Sequence, residues 1–137
     1  MDHKIKVLIA EDIEPIRKRY VTILEKCPDI QVVADVDTGA AAYIAAKKHA
    51  PEVILMDIEM ESKDAGIRAT GKILAEMPEI KIVILTVYEE DEMVFSAFQL
   101  GACDYLMKNA SNEVIVNAIT SAYEGRSPIR PEIANGH

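Results

Sequence analysis

The sequence places acidic, hydroxyl and ammonium side chains directly after four of its apolar runs. They are Glu11 and Asp12, Asp57, Thr86, and Lys108. The carboxyl ends of parallel strands lie along one edge of a sheet, and open α/β sheets bind their ligands outside that edge. If the four runs are strands of one parallel sheet, the five side chains converge on a single polar site.

The residue types in this set suit a cation and a phosphoryl group. Two carboxylates 4 Å apart repel each other by about 4 kcal/mol at an effective dielectric near 20, so three of them favour a bound cation. Oxygen ligands without histidine or cysteine are typical of Mg²⁺. A carboxylate beside such a metal can attack phosphorus and form an acyl phosphate. The Lys108 ammonium and the Thr86 hydroxyl would then stabilise charge on the transferred group.

Each of these residues also has an ordinary structural interpretation. Asp12 precedes a helical pattern and is a candidate N-cap, and Asp57 could begin a turn. Threonine is common in strands, and a lysine at a strand end is commonly solvated. The occurrence of all of them at one edge favours the functional interpretation.

Five runs of β-branched and aliphatic residues predict strands at 5–10, 31–36, 53–56, 80–85 and 103–107. Four are apolar at successive positions, as burial on both faces requires, whereas the second is more polar and predicts an edge strand. The intervening segments repeat apolar residues at three- and four-residue intervals and predict helices. Right-handed crossovers fold such a (βα)5 chain into a doubly wound α/β sandwich with helices on both faces of the sheet.

Composition limits the class of protein. A chain of 137 residues forms one domain. Its 15 basic and 23 acidic residues give a net charge of −8, which argues against binding to a nucleic-acid backbone. Cys27 and Cys103 lack the spacing of a zinc site and predict reduced thiols. Nothing resembles a signal peptide or a membrane span, so we expect a cytoplasmic protein without membrane contacts.

Residues 4–124 resemble the receiver domain of two-component response regulators. The resemblance rests on the acidic pair at 11–12, the segment MDIEM at 56–60, the threonine at 86 and the segment GACDYLMK at 101–108. It implies a flavodoxin-like fold, a doubly wound (βα)5 sandwich on a five-stranded parallel sheet of order 2-1-3-4-5. It also implies a phosphorylation switch rather than a metabolic enzyme.

The resemblance further implies roles for single residues. Asp57 would accept a phosphoryl group from a sensor histidine kinase. The implied Mg²⁺ ligands are Glu11, Asp12, Asp57 and the backbone carbonyl of Glu59. Lys108 would pair with the phosphoryl group, while Thr86 and Tyr105 would move toward it as a switch. The helix at 90–100, the fifth strand and the last helix would form the output or dimerisation surface, and a phosphorylation-dependent homodimer is expected.

Three features depart from the family pattern. Glu11 stands where an aspartate is commoner, which lengthens one ligand, and the loop at 61–66 lacks the usual proline. Lys108 is followed by Asn109, which is similar to the subfamily with helix-turn-helix (NarL/LuxR-type) DNA-binding outputs. We therefore expect residues 125–137 to be a tail, or the start of a linker to an output domain absent from this chain. Transcription would be controlled, and DNA bound, only through that domain.

Other functions stay open at the level of sequence. A receiver-only protein would act through protein contacts alone. A Mg²⁺-dependent phosphohydrolase would carry its nucleophile on Asp12, since Asp12 and Glu14 resemble an Asp-x-Asp motif with its second aspartate replaced. A flavodoxin-like redox module would need a phosphate-binding loop where acidic residues follow the first strand. A pseudo-receiver would bind partners without phosphorylation, against which the complete set of site residues argues.

Overall fold

A computed structural model describes residues 3–88 and 92–126, which form alternating strands and helices. The strands are β1 (Ile5–Ala10), β2 (Ile30–Val36), β3 (Val53–Asp57), β4 (Lys81–Thr86) and β5 (Asp104–Met107). The helices are α1 (Glu14–Glu25), α2 (Gly39–His49), α3 (Ala65–Glu76), α4 (Glu92–Leu100) and α5 (Asn112–Tyr123). No helix within the described ranges is long and apolar enough to cross a membrane. The predicted tail at 125–137 lies almost wholly outside those ranges, as do residues 90–91 of the predicted fourth helix.

The strands form one parallel sheet in the order β2-β1-β3-β4-β5, which confirms the predicted fold class. The polar second strand lies at an edge, as predicted. Two strands extend one residue further than predicted, because Asp57 pairs with Leu85 and Thr86 pairs with Met107. Asp57 and Thr86 therefore belong to the hydrogen-bonded sheet itself rather than to the loops that follow it.

Each face of the sheet is covered by its own helices. Leu8 and Ile54 pack with α2, α3 and α4, whereas their neighbours Ile9 and Leu55 pack with α1 and α5. Consecutive strand residues point to opposite faces. Because helices cover both faces, all four side chains are fully buried. Burial on both faces explains the continuous apolar runs of the central strands. Their charged side chains lie at or near a strand end, as Asp57 does at the end of β3.

The N-caps of the helices show whether Asp12 caps α1 or is free to serve the site. Thr38 and Ser111 cap α2 and α5 through side-chain hydrogen bonds to the first turn of each helix. The cap residue of α1 is Ile13, and α1 has no side-chain cap. The capping interpretation of Asp12 is therefore wrong. Its exposed carboxylate lies just outside the helix, at the edge of the sheet.

The start of α3 lies against the backbone at the end of β3. The Gly66 N–H donates to the carbonyl of Ile58 at 2.8 Å. A Cβ atom on Gly66 would lie 1.8 Å from the carbonyl oxygen of Asp57. No side chain fits at that distance, so glycine is required for α3 to approach the strand end.

We expect Gly66→Ala to lower the free energy of unfolding by about 1–3 kcal/mol, the usual cost of overpacking a core. The clash is with main chain, so the backbone at Asp57 has to move. Gly71→Ala is the matched control in the same helix, because its Cβ would lie 3.4 Å from the nearest atom, a methyl carbon of Leu100. Urea unfolding of both variants measures the difference, and equal stabilities would contradict the close approach.

Candidate functional site

The side chains that were predicted to converge lie together at one edge of the sheet. Glu11 follows β1, Asp57 and Thr86 end β3 and β4, and Lys108 follows β5. Glu11, Asp57 and Thr86 each expose 3% of their surface or less. A cleft of about 210 Å³ opens beside them and is lined in part by Asp12, Asp57 and Lys108. The edge is therefore a partly enclosed acidic site with one ammonium group.

Lys108 joins two of the carboxylates. Its Nζ donates to Oδ2 of Asp57 at 2.9 Å and to Oε2 of Glu11 at 3.1 Å. The Lys108 side chain is 13% exposed, so all three groups are largely removed from water. Attraction between opposite charges is strong in such surroundings. One ammonium cannot neutralise two carboxylates, however, and the site keeps an excess of negative charge.

Glu11 indicates that a further positive ligand fits here. Its Oε2 also accepts a hydrogen bond from the Ile13 N–H at 3.1 Å. Its Oε1 is buried and has no hydrogen-bond partner within the described residues, an arrangement that costs free energy. Glu11, Asp12 and Asp57 each offer a carboxylate oxygen, and these atoms lie within 4.8 Å of one another. Three hard oxygen donors in this arrangement fit Mg²⁺.

The ionisation of Asp57 depends on this balance of charge. Burial and the nearby charge of Glu11 raise the pKa of Asp57 to about 8, although Lys108 opposes the change. Burial alone would lower the pKa of Lys108, but the two carboxylates outweigh burial and leave that pKa raised. Lys108 therefore stays charged, while Asp57 needs more positive charge nearby to be fully ionised at neutral pH.

Thr86 and Tyr105, the predicted switch residues, lie on neighbouring strands. The Thr86 hydroxyl donates to the carbonyl of Tyr88 at 3.2 Å and accepts from the Tyr88 N–H at 3.1 Å. In this state the hydroxyl belongs to the turn that follows β4. Tyr105 is half-buried and packs edge-on against Phe98 of α4, with ring centroids 6.1 Å apart. Tyr105 thus connects the last strand with α4.

The loop between β3 and α3 contributes two glutamates. Glu59 is exposed and lines the cleft. Glu61 points toward the start of α2, where its carboxylate accepts from the N–H of Gly39 at 2.6 Å and of Ala40 at 3.0 Å. Burial opposes ionisation, but these N–H groups lower the pKa of Glu61. A carboxylate is favoured at a helix N-terminus, so Glu61 fixes this proline-free loop to α2.

Side chains of α1 make contacts near the site that the sequence did not predict. The Tyr20 hydroxyl donates to the carbonyl of Lys108 at 2.9 Å, and Nη2 of Arg19 donates to the carbonyl of Ala110 at 2.8 Å. The spacing of Tyr20 and Leu24 is typical of a core-facing helical stripe, which explains the burial of the ring but not the contact of its hydroxyl. The partner of the hydroxyl lies 88 residues away, a separation that no local pattern records.

The family model of the response regulator receiver domain matches residues 7–120, which contain the whole site. The chain is 35% identical over 128 residues to the oxygen regulatory protein NreC of Staphylococcus carnosus, covering 93% of this chain and 59% of NreC. It therefore spans only part of that relative's length.

Two solved structures of related proteins superpose closely on this fold. The signal receiver domain of the response regulator NarL from Mycobacterium tuberculosis has a TM-score of 0.85 at 28% identity, covering 90% of this chain and 99% of that one. A DNA-binding response regulator of the LuxR family from Staphylococcus aureus has a TM-score of 0.79 at 26% identity, covering 86% of this chain and 98% of that one.

We expect the stability of the metal-free protein to fall as the pH rises from about 4 to about 8 because of Asp57. This carboxyl loses its proton near pH 3.8 in the unfolded chain but only at about 8 in the folded protein. The folded state therefore binds more protons in this window. The stabilisation that protonated Asp57 contributes is complete below the pKa of Asp57 in the unfolded chain. It is lost as the pH rises through the pKa of Asp57 in the folded protein. Asp57→Asn removes this titration and should flatten the profile.

Urea unfolding with a metal chelator, between pH 4 and pH 8, measures this dependence. Asp29→Asn is the matched control, because Asp29 is an exposed aspartate away from the site and its replacement should leave the wild-type slope unchanged. A profile for Asp57→Asn as steep as that of the wild type would contradict the raised pKa.

Proposed function

This chain belongs to the response regulator receiver domains, and from that premise we propose that it is a phosphorylation switch in which Asp57 accepts a phosphoryl group from a sensor histidine kinase. Receiver domains of this kind are signalling switches rather than metabolic enzymes. One observation carries the proposal: Asp57 is buried at the ligand-binding edge of the sheet, within a group of three carboxylates and in contact with Lys108.

In the proposed transfer, a carboxylate oxygen of Asp57 attacks the phosphorus atom of a phosphohistidine. An O–P bond forms, the P–N bond breaks, and the imidazole leaves with the electron pair of that bond. The attacking group must be ionised, which the raised pKa of Asp57 opposes in the metal-free site. The residues proposed to hold Mg²⁺ are Glu11, Asp12, Asp57 and the backbone carbonyl of Glu59. The ion would supply the positive charge that favours the ionised carboxylate.

Lys108, Thr86 and Tyr105 would convert this local charge into a change of surface. Lys108 would move its hydrogen bonds from the two carboxylates to a phosphoryl oxygen. The Thr86 hydroxyl would leave the turn at Tyr88 and donate to another oxygen of the same group. Tyr105 would then move into the space that Thr86 leaves, and its ring would change its packing against Phe98 of α4. A local charge that biases two arrangements of packed side chains is an established form of switching.

We further propose that the switched surface controls transcription through a DNA-binding output domain. The support is the likeness to a LuxR-family DNA-binding response regulator and the partial coverage of NreC, in which the matched segment is 59% of the length. The net charge of −8 on this chain agrees with DNA binding elsewhere than on the receiver. A phosphorylation-dependent homodimer belongs to the same proposal.

The phosphohydrolase alternative is less well supported by the site. It would need Asp12 as the nucleophile, yet Asp12 is exposed and Lys108 donates to Asp57 and Glu11 instead. The flavin alternative is disfavoured because acidic side chains at this edge would repel a cofactor phosphate. The position of the phosphoryl group decides the phosphohydrolase alternative, and a colourless purified protein would dismiss the flavin alternative.

We expect wild-type protein incubated with Mg²⁺ and a small acyl-phosphate donor to gain one phosphoryl group on Asp57. Asp57→Asn should gain none, because an amide oxygen is a poor nucleophile for this transfer. Intact mass measures the adduct, and peptide mapping after reduction of the acyl phosphate locates it. Asp29→Asn, the exposed control, should match the wild type.

Uptake at full stoichiometry by Asp57→Asn would disprove the assignment, and an adduct mapped to Asp12 would favour the phosphohydrolase. Uptake by the wild type at the same rate with and without Mg²⁺ would contradict the proposed metal site. The absence of an adduct on the wild type under every condition would leave the acidic cluster as a site for partners only.

Tyr88 should prolong the phosphorylated state. Its side chain is 60% exposed and lines the cleft beside Asp57, where it can obstruct an attacking water molecule. We expect Tyr88→Ala to shorten the lifetime of the acyl phosphate by about threefold, equivalent to about 0.6 kcal/mol in the barrier. Tyr88→Phe keeps the ring and should keep the lifetime. Loss of the adduct is followed by mass after donor removal, and a longer lifetime for Tyr88→Ala would refute the shielding role.

A further inference from the structure

Two side chains of α1 hold the backbone that follows β5. The Tyr20 hydroxyl donates to the carbonyl of Lys108 at 2.9 Å, and Nη1 of Arg19 reaches the same oxygen at 3.4 Å. Nη2 of Arg19 donates to the carbonyl of Ala110 at 2.8 Å and to Oδ1 of Asn112 at 3.0 Å. The segment that carries Lys108 is therefore fastened to α1 at three successive points.

The backbone N–H of Lys108 is also hydrogen-bonded. Its N–H donates to the carbonyl of Thr86 at 2.9 Å. The main chain of Lys108 is thus held by β4 through its N–H and by α1 through its carbonyl. From this fixed origin its Nζ reaches both Glu11 and Asp57.

The hydroxyl of Tyr20 is not explained by core packing. Tyr20 is fully buried on the apolar side of α1, among residues such as Ile23 and Leu24, where an aliphatic or phenylalanine side chain would fill the core equally well. Burying a hydroxyl costs free energy unless it forms a hydrogen bond. Burial and the charge of Glu11 raise the pKa of Tyr20, so the hydroxyl keeps its proton and stays a donor.

We propose that Tyr20 is a positioning residue for Lys108, and that its hydroxyl fixes the carbonyl of Lys108 so that the ammonium is delivered to the phosphoacceptor site. The inference rests on the proposed function, because it concerns the rate at which Asp57 is phosphorylated. A lysine side chain has a flexible four-carbon stem, so the placement of its Nζ depends on how firmly its backbone is held. Small displacements of a group that stabilises transferred charge lower rates sharply.

The first experiment compares initial rates of phosphoryl uptake from a small acyl-phosphate donor with Mg²⁺ present. We expect Tyr20→Phe, which removes only the hydroxyl, to be roughly tenfold slower, within the hundredfold that a displacement of about 1 Å can cause. Arg19→Lys should be slowed in the same direction, because one ammonium cannot replace a guanidinium that serves several acceptors. Tyr43→Phe is the matched control, since the Tyr43 hydroxyl binds Glu76 on the opposite side of the molecule.

The second experiment separates positioning from a general loss of structure. Tyr20→Phe is introduced into Lys108→Ala, and all rates are measured where urea unfolding shows each variant to be folded. If Tyr20 acts through Lys108, the double variant is phosphorylated at the same rate as Lys108→Ala. A structural role would slow Lys108→Ala by the same factor as the wild type and would overturn the inference.

The two proposals fail in distinguishable ways. Absence of uptake by the wild type would overturn the proposed function, and the role of Tyr20 with it. Uptake by the wild type together with an unchanged rate for Tyr20→Phe would overturn the role of Tyr20 alone. If Tyr20→Phe does not fold, the comparison is made with Arg19→Lys in both backgrounds, and the same two outcomes decide it.

Discussion

The Lys108 ammonium lies between the buried carboxylates of Glu11 and Asp57, and the rest of the site is arranged around that contact. The lysine is 97 residues from Glu11 and 51 from Asp57 along the chain, so the contact joins the ends of β1, β3 and β5. Because the central residues of β1 and β3 are buried on both faces, charge is excluded there and lies at or near the strand ends. The sheet thus brings like charges together, and one lysine partly offsets their repulsion.

Backbone contacts from neighbouring elements determine how accurately these groups are placed. Gly66 allows α3 to rest on the main chain of Asp57, Glu61 ties the following loop to α2, and Tyr20 holds the carbonyl of Lys108. The contacts of Gly66 and Tyr20 act on the main chain of a site residue, and Glu61 holds the loop that carries Glu59. A side chain that starts from a fixed backbone has fewer positions to search, which is how rigid elements support a functional site.

Local patterns in the sequence predicted the parallel sheet and the convergence of the site residues, whereas the strand order was implied by the resemblance to receiver domains. Continuous apolar runs identify buried parallel strands, and the topology then places every strand end on one edge. Three features escaped that argument. The absence of a side-chain cap on α1 depends on backbone geometry at Ile13. The contacts of Tyr20 and Glu61 join residues distant in the chain, and hydrogen bonds of that kind leave no periodicity in either segment.

The unequal charges explain why a site of this composition is suited to switching. One ammonium faces three carboxylates, and burial with the charge of Glu11 holds the pKa of Asp57 at about 8. In the proposed transfer, a phosphoryl group on Asp57 would add negative charge and draw Lys108 away from Glu11. Thr86 would reach the same group by leaving the turn at Tyr88. Both changes would exchange hydrogen bonds that exist before phosphorylation for new ones, so the proposed response is an exchange between two bonded arrangements rather than a gradual relaxation.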